Sequence, residues 1–324
     1  MTLMKLAISL LIAAIAVAGF GLYVNHRAAA REAAAMAAYP PSGQFVKIDG
    51  TKVHYTINGS GPDLILIHGA LGNLRDMTFD LAGKLTDRYR VIAFDRPGFG
   101  YSDPLPNGEV SLHAQSQILQ AAARKIGVTN PIVLGHSYGG AVVMDWALHP
   151  NILPPAAIVL VSAPTLPWPG TIDILYRVTG NPIGAALVVP LLTAFVTDDY
   201  LHKSVTGIFA PAPVPAGYEA FVGSGLTLRR TSLATNGKQV NTLYDQVVAM
   251  APLYPTLTLP VELVHGDADT SVPLTVHSLP LSKILPNAVL TVIPGAGHMP
   301  HHSNPDIIVA AIDRAAKRAH LPYT

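Results

Sequence analysis

The chain has 324 residues, a formal net charge of +1, 13% charged residues and 50% hydrophobic ones. That balance excludes the basic face a nucleic-acid binder needs, and it leaves ample apolar sequence for a large core. Cysteine is absent, which excludes disulfides and thiol nucleophiles.

Leu6 to Val24 contains no charged residue. As a helix it spans about 29 Å, close to the hydrocarbon thickness of a bilayer, so membrane association is expected through residues 6–24. Lys5 and the small-residue stretch Ala16-Val17-Ala18 also satisfy the rule for a cleaved export signal. The apolar run continues past that stretch to Val24, which favours an uncleaved anchor over export after cleavage. His26, Arg27 and Arg31 follow the segment whereas only Lys5 and the amino terminus precede it, so charge bias by itself keeps the following side cytoplasmic. Ala28 to Ala38 reads as a helix-prone spacer ending at Pro40-Pro41-Ser42-Gly43. The boundary is placed there: residues 1–43 form anchor (or signal) and spacer, and residues 44–324 one folded unit.

Gln44 to Ile48 and Lys52 to Ile57 are expected to pair as an antiparallel hairpin around Asp49-Gly50-Thr51. Asp63 to Ile67 reads as a buried strand ending in His68-Gly69-Ala70-Leu71-Gly72-Asn73, a flexible turn in which His68 is expected to organise the loop. A second apolar run, Pro131 to Leu134, enters Gly135-His136-Ser137-Tyr138-Gly139 and a helix-compatible stretch from Gly140 to Leu148. Glycines flanking a serine let a strand reverse into a helix with the hydroxyl at the tip of a strained turn. A serine so placed can attack a carbonyl. The tetrahedral oxyanion that follows needs fixed donors, for which the amides of Tyr138 and Ala70 are the candidates.

Strands and helices alternate through Ala157 to Val161 and then stop from Pro164 to about Pro255. Within that segment, Ile172 to Val196 carries Ile174, Leu175, Val178, Ile183, Leu187, Val188, Val189, Leu191, Leu192 and Phe195 among few charges. It reads equally as helices packed on the core and as an apolar tunnel or membrane-facing entrance. Val261 to His265 resumes as a strand before Gly266-Asp267-Ala268-Asp269, where either carboxylate can orient an imidazole. Ala288 to Ile293 is the last strand, followed by Pro294-Gly295-Ala296-Gly297-His298 and a helix from Pro305 to His320. His301 and His302 compete with His298 by proximity alone and are expected at the surface or at the helix start. No His/Asp/Glu spacing suggests a metal site, and no G-x-G-x-x-G or P-loop pattern suggests a nucleotide cofactor.

Serine, acid and histidine at three successive strand ends follow one known order. With His68-Gly69, Asp95-Arg-Pro-Gly-Phe-Gly-Tyr-Ser102, Gly135-His-Ser-Tyr-Gly139, Gly266-x-x-Asp269 and Gly295-x-Gly-His298, the chain resembles the α/β-hydrolase superfamily over roughly residues 45–320. The likeness is to its lid-bearing esterase and epoxide-hydrolase-like branch. It implies a mostly parallel eight-stranded sheet flanked by helices, with a helical lid inserted at about 164–255. The family's spacing selects Asp269 over Asp267, giving Ser137, His298 and Asp269 as the catalytic set. Epoxide hydrolases and haloalkane dehalogenases carry aspartate at the nucleophile position, so Ser137 points instead to ester-type hydrolysis. Ser303 stands where relatives often carry glutamate, which loosens the match at the last helix. The expected substrate is a small molecule, an ester with an apolar acyl or alcohol part. Acyl transfer, carbon–carbon bond hydrolysis, cofactor-free perhydrolysis on the same site and a slow-turnover ligand sensor are the alternatives. Oligomeric state is not legible.

Overall fold

In the computed structural model, which describes residues 3–322, helix α1 (Leu3–Ala38) precedes β1 (Gln44–Ile48), β2 (Thr51–Asn58) and β3 (Asp63–Ile67). Then come α2 (Leu74–Thr78), β4 (Arg90–Phe94), α3 (Leu112–Lys125), β5 (Ile132–His136), α4 (Tyr138–Leu148) and β6 (Ala157–Val161). Six helices separate β6 from the next strand: α5 (Ile174–Gly180), α6 (Pro182–Phe195), α7 (Asp198–Phe209), α8 (Tyr218–Val222), α9 (Ser224–Thr227) and α10 (Arg230–Met250). The chain closes with β7 (Val261–Gly266), α11 (Ser278–Ile284), β8 (Ala288–Ile293), α12 (Pro300–Ser303) and α13 (Pro305–Arg318).

The eight strands form one sheet in the order β1-β2-β4-β3-β5-β6-β7-β8. It is mixed: β2 pairs antiparallel with β1 and β4, and every other pair is parallel. The central strands are buried on both faces, which is why they read as unbroken apolar runs. Period-two alternation sorts their side chains. Leu64 and Leu66 join Met77, Ile308 and Ile312 on one side, while Ile65 and Ile67 join Leu119, Val142 and Trp146 on the other. On β7, the fully buried Glu262 accepts from Arg314 (2.9 Å) and Arg318 (2.8 Å), which fixes α13 to the sheet. This topology brings the turns after β3, β5, β7 and β8 to one edge, the carboxyl ends of the parallel strands.

The two halves of α1 differ. Its apolar half projects outward, with Leu10, Ile15 and Val17 exposed. Its alanine-rich half, expected as a spacer, packs against the α5–α10 insertion: Val24 and Ala28 bury against Ala194, and Glu32 pairs with Arg230 at 2.7 Å.

Candidate active site

β5 runs directly into the elbow. Ser137 has φ 51° and ψ −125°, a left-handed conformation unusual for a residue with a side chain. The surroundings enforce it: the Ser137 amide donates to Val161 O (2.9 Å), and a Cβ on Gly139 would stand 2.4 Å from Ile67 O. The serine Oγ is thereby aimed at the turn after β8. There His298 Nε2 lies 3.0 Å away, and His298 Nδ1 lies 2.8 Å from Asp269 Oδ2. All three side chains are largely buried, Ser137 being 9% and His298 6% exposed.

Asp269 is held from several directions. Its Oδ1 accepts from the Ser271 and Val272 amides, both at 2.9 Å, and its Oδ2 also lies 3.2 Å from His265 Nε2. Burial alone would raise its pKa, but the hydrogen bonds from His265 and His298 outweigh that and hold it well below the usual carboxylate range. The ionised Asp269 accepts a hydrogen bond from His298 Nδ1–H, which leaves Nε2 as the acceptor facing Ser137. Asp267, the alternative acid, is exposed and accepts from the Gly295 amide at 2.7 Å, away from the imidazole.

The turn after β3 lies against the serine: a Cβ on Gly69 would come within 3.1 Å of Ser137 Cβ. Ala70 follows in that turn, and its amide makes no hydrogen bond among the described residues. Tyr138 is the first residue of α4, so its amide lacks an acceptor one turn back. His68 sits under the turn. Its Nε2 accepts from the Arg96 amide (3.0 Å), so its proton resides on Nδ1 and is donated to Gly69 O (2.9 Å). Burial, with the Arg96 charge beside it, lowers the His68 pKa to about 4 and keeps the ring neutral.

Arg96 carried no assigned role in the sequence, yet it organises this side of the site. Fully buried, it donates to His68 O (2.9 Å), Gly69 O (2.9 Å), Gln115 Oε1 (2.9 Å) and Gln239 Oε1 (2.6 Å). Its guanidinium lies 4.5 Å from the Tyr138 ring centroid and 4.6 Å from that of Phe99.

The structure corrects the expectation for His301 and His302. They do begin α12, but they turn inward and are buried, both meeting Asp76 of α2: Nε2 of His302 at 2.9 Å and Nε2 of His301 at 3.3 Å. Tyr218 of α8 donates to the same carboxylate at 2.7 Å. Asp76 is far away in sequence, so no local spacing announces the cluster. Burial, reinforced by His302, lowers the His301 pKa to about 4. The His301 ring also lies against that of His136, centroids 4.1 Å apart and tilted by 45°, and His136 Nε2 lies 2.9 Å from the His298 carbonyl. Two groups, Asp76-His301-His302 and His113-Asp145-His149, bring possible metal-ligand atoms within 4.8 Å of one another. Neither includes Ser137, Asp269 or His298.

An α/β sheet with a strained serine at its central strand end defines a class of hydrolytic enzymes. The chain matches the alpha/beta hydrolase family over residues 64–311 and belongs to it, an enzyme of the hydrolase type acting on a small molecule. Among sequence relatives, an uncharacterized protein of Mycobacterium tuberculosis is 29% identical over 294 residues, covering 85% of this chain and 81% of the relative. Among solved structures, a thermophilic esterase from Thermogutta terrifontis aligns with TM-score 0.68 at 21% identity, covering 86% of this chain and 100% of that one. A membrane phospholipase A aligns with TM-score 0.63 at 21% identity, covering 96% and 99%. At these identities the two structures share the fold.

Proposed function

We propose that the protein is a membrane-associated serine hydrolase that cleaves carboxylic esters with an apolar acyl or alcohol part. The observation that carries this reading is the chain of contacts from Ser137 Oγ to His298 Nε2 (3.0 Å) and from His298 Nδ1 to Asp269 (2.8 Å), built on a serine with φ 51°. Ser137 Oγ attacks the ester carbonyl while His298 Nε2 takes its proton. The tetrahedral oxyanion is held by the amides of Ala70 and Tyr138. Collapse expels the alcohol, which receives the proton from His298, and leaves an acyl group on Ser137. Water then attacks the acyl carbonyl, losing a proton to His298, and collapse breaks the bond to Ser137 Oγ, which takes that proton back from His298 as the carboxylic acid departs. Asp269 keeps the imidazole in the tautomer both halves require.

Membrane association rests on α1. One 18-residue window in it has a mean hydropathy of 2.3 and is only 6% buried, long and apolar enough to cross a bilayer or to serve as a signal sequence. A fluorophosphonate tests the chemistry. It should label Ser137 in the full chain, and Ser137→Ala should lower kcat on p-nitrophenyl butyrate by about 10⁴ or more. Labelling at another serine, or full activity in the alanine variant, sinks the proposal.

A further inference from the structure

Beyond α1, several large apolar side chains are exposed on the hairpin formed by α5 and α6. α6 contains no charged residue, and its Ile183 and Leu187 are 71% and 65% exposed, beside the exposed Ile174 of α5. Such side chains at a protein surface call for an apolar partner. The two helices bend by 110° about Asn181, and only together are they long and apolar enough to enter a membrane as one broken segment. Asn181 caps the bend, its Oδ1 accepting from the Ile183 amide at 2.9 Å, so a donor at the tip is already satisfied away from water.

The contacts with α1 say which way this surface faces. Arg27 Nε donates to Ala194 O (2.8 Å) and Arg31 Nη1 to Val196 O (2.6 Å), so the two chains advance together, and α6 runs parallel to α1. Moving from Ala194 back toward Ile183 therefore leads toward the apolar, outward half of α1. By helix rise, Leu187 lies about 10 Å from Ala194 along that direction. The exposed Ile183 and Leu187 are thereby directed to the same side as the exposed apolar half of α1. Where the apolar stretch ends, Arg27, Arg31, Phe195, Thr197 and Asp198 border an open groove of about 560 Å³. Cationic side chains at the foot of an apolar segment suit the phosphate layer of a membrane.

We propose that the α5–α6 hairpin is a second membrane element, dipping into the acyl region of the bilayer beside α1, so that esters dissolved in that bilayer are the substrates the enzyme receives. The substrate part of this inference rests on the serine-esterase reading; the insertion part does not.

Because the chain has no cysteine, single-cysteine reporters are free of background. Ile183→Cys, Leu187→Cys and, on the exposed face of α7, Lys203→Cys are each introduced into the full chain. The proteins are labelled with an environment-sensitive nitrobenzoxadiazole dye and reconstituted in phosphatidylcholine/phosphatidylglycerol vesicles. Positions 183 and 187 should shift to shorter emission wavelength and be quenched by doxyl groups on lipid acyl chains, while position 203 should remain aqueous. Emission at 183 and 187 matching that at 203 overturns insertion. In parallel, the double variant Ile183→Glu, Leu187→Glu should lose about tenfold or more of its activity on a long-chain ester embedded in vesicles. Its turnover of soluble p-nitrophenyl butyrate should stay within about twofold. Equal activity on the embedded ester in parent and variant overturns delivery from the bilayer. Lipid-exposed reporters on a chain that hydrolyses no ester would uphold insertion and refute the esterase reading.

Discussion

Asn at position 269 provides a sharp test of the proposed site because the structure fixes which way the new amide must face. Asp269 Oδ1 accepts from two backbone amides, Ser271 and Val272, each at 2.9 Å. In Asp269→Asn the carbonyl oxygen must stay there, since an NH₂ group would confront two donors. The NH₂ then replaces Oδ2, 2.8 Å from His298 Nδ1. A donor at that point drives the imidazole proton from Nδ1 to Nε2, and the nitrogen facing Ser137 at 3.0 Å becomes a donor instead of a base. The expected cost is about 10⁴ in kcat, or about 5.5 kcal/mol of transition-state stabilisation. KM should change little, because the oxyanion donors and the substrate surroundings are untouched. Asp267→Asn keeps an acceptor for the Gly295 amide and should remain within about tenfold of the parent. Both variants would be assayed with p-nitrophenyl butyrate, with thermal melts to confirm folding. A folded Asp269→Asn enzyme retaining more than about a tenth of parental kcat would refute the tautomer argument.

Arg96→Lys removes the planar fork that holds His68 O, Gly69 O, Gln115 and Gln239, and should lower kcat by roughly 10² with a smaller change in KM; equal changes in both would make Arg96 a substrate-binding group instead. Acid should destabilise the fold early. Burial pulls the pKa of His68, His277 and His301 to about 4, below the value of 6.5 in the unfolded chain. The unfolded state therefore binds the extra protons first as pH falls from about 6.5 toward 4, and each ring costs about 2 kcal/mol between pH 7 and 5. A Tm unchanged between those pH values would contradict this. Removing residues 1–18 should preserve the contacts of Val24, Ala28 and Glu32, whereas removing 1–40 also strips the pairing of Glu32 with Arg230 and the acceptor Pro40 O of Arg75. The longer deletion should be less stable in urea by roughly 2–4 kcal/mol, and coincident unfolding midpoints would show that α1 contributes nothing to the domain.

What the sequence made legible follows from how local each signal is. The limits of β3 and β6 were readable residue for residue because a strand buried between helices is a short apolar run bounded by turn residues, and those of the edge strands β1 and β8 because β-branched and apolar residues run between turn residues there too. Ser137 was readable because the glycines it needs are its neighbours. The meeting of His298 with Asp269 depends on a turn spacing that resemblance supplied. Asp76, Arg96 and Tyr218 act through partners 19 to 226 positions away, and nothing in a local window marks a charge whose partners come from other layers. His301 and His302 show the same limit: adjacent polar residues at a helix start read as exposed, and only the carboxylate of α2 turns them inward. The packing of the spacer was hidden for a related reason: Ala28 to Ala38 reads as helix-prone, but nothing local marks Ala28 and Glu32 as contacts of the insertion. Alanine continues an apolar helix as readily as it begins a spacer, so α1 runs unbroken to Ala38.

The polar contacts across the site also bear on how substrate reaches a serine that is only 9% exposed. Four of them join the turns after β3 and β4, and α2, to the helices between β6 and β7. The Leu71 amide donates to Asn236 (3.0 Å), Asn73 to Val222 O (3.1 Å), Tyr218 to Asp76 (2.7 Å) and Arg96 to Gln239 (2.6 Å). At about 1 kcal/mol for each neutral bond and roughly 1.5–3 for those to charged groups, lifting α8 and α10 together would cost on the order of 5–8 kcal/mol. An opening that costly would leave the open form populated at well under one part in a thousand. Under the proposed mechanism it would also release the turn that carries Ala70 when its amide is to hold the oxyanion. α8 and α10 are therefore better regarded as fixed walls of the site than as a moving cover. Movement that admits substrate must come from parts of the insertion outside these four contacts, and α5 is not free of the wall either, since Asn241 of α10 donates to Tyr176 O (2.8 Å).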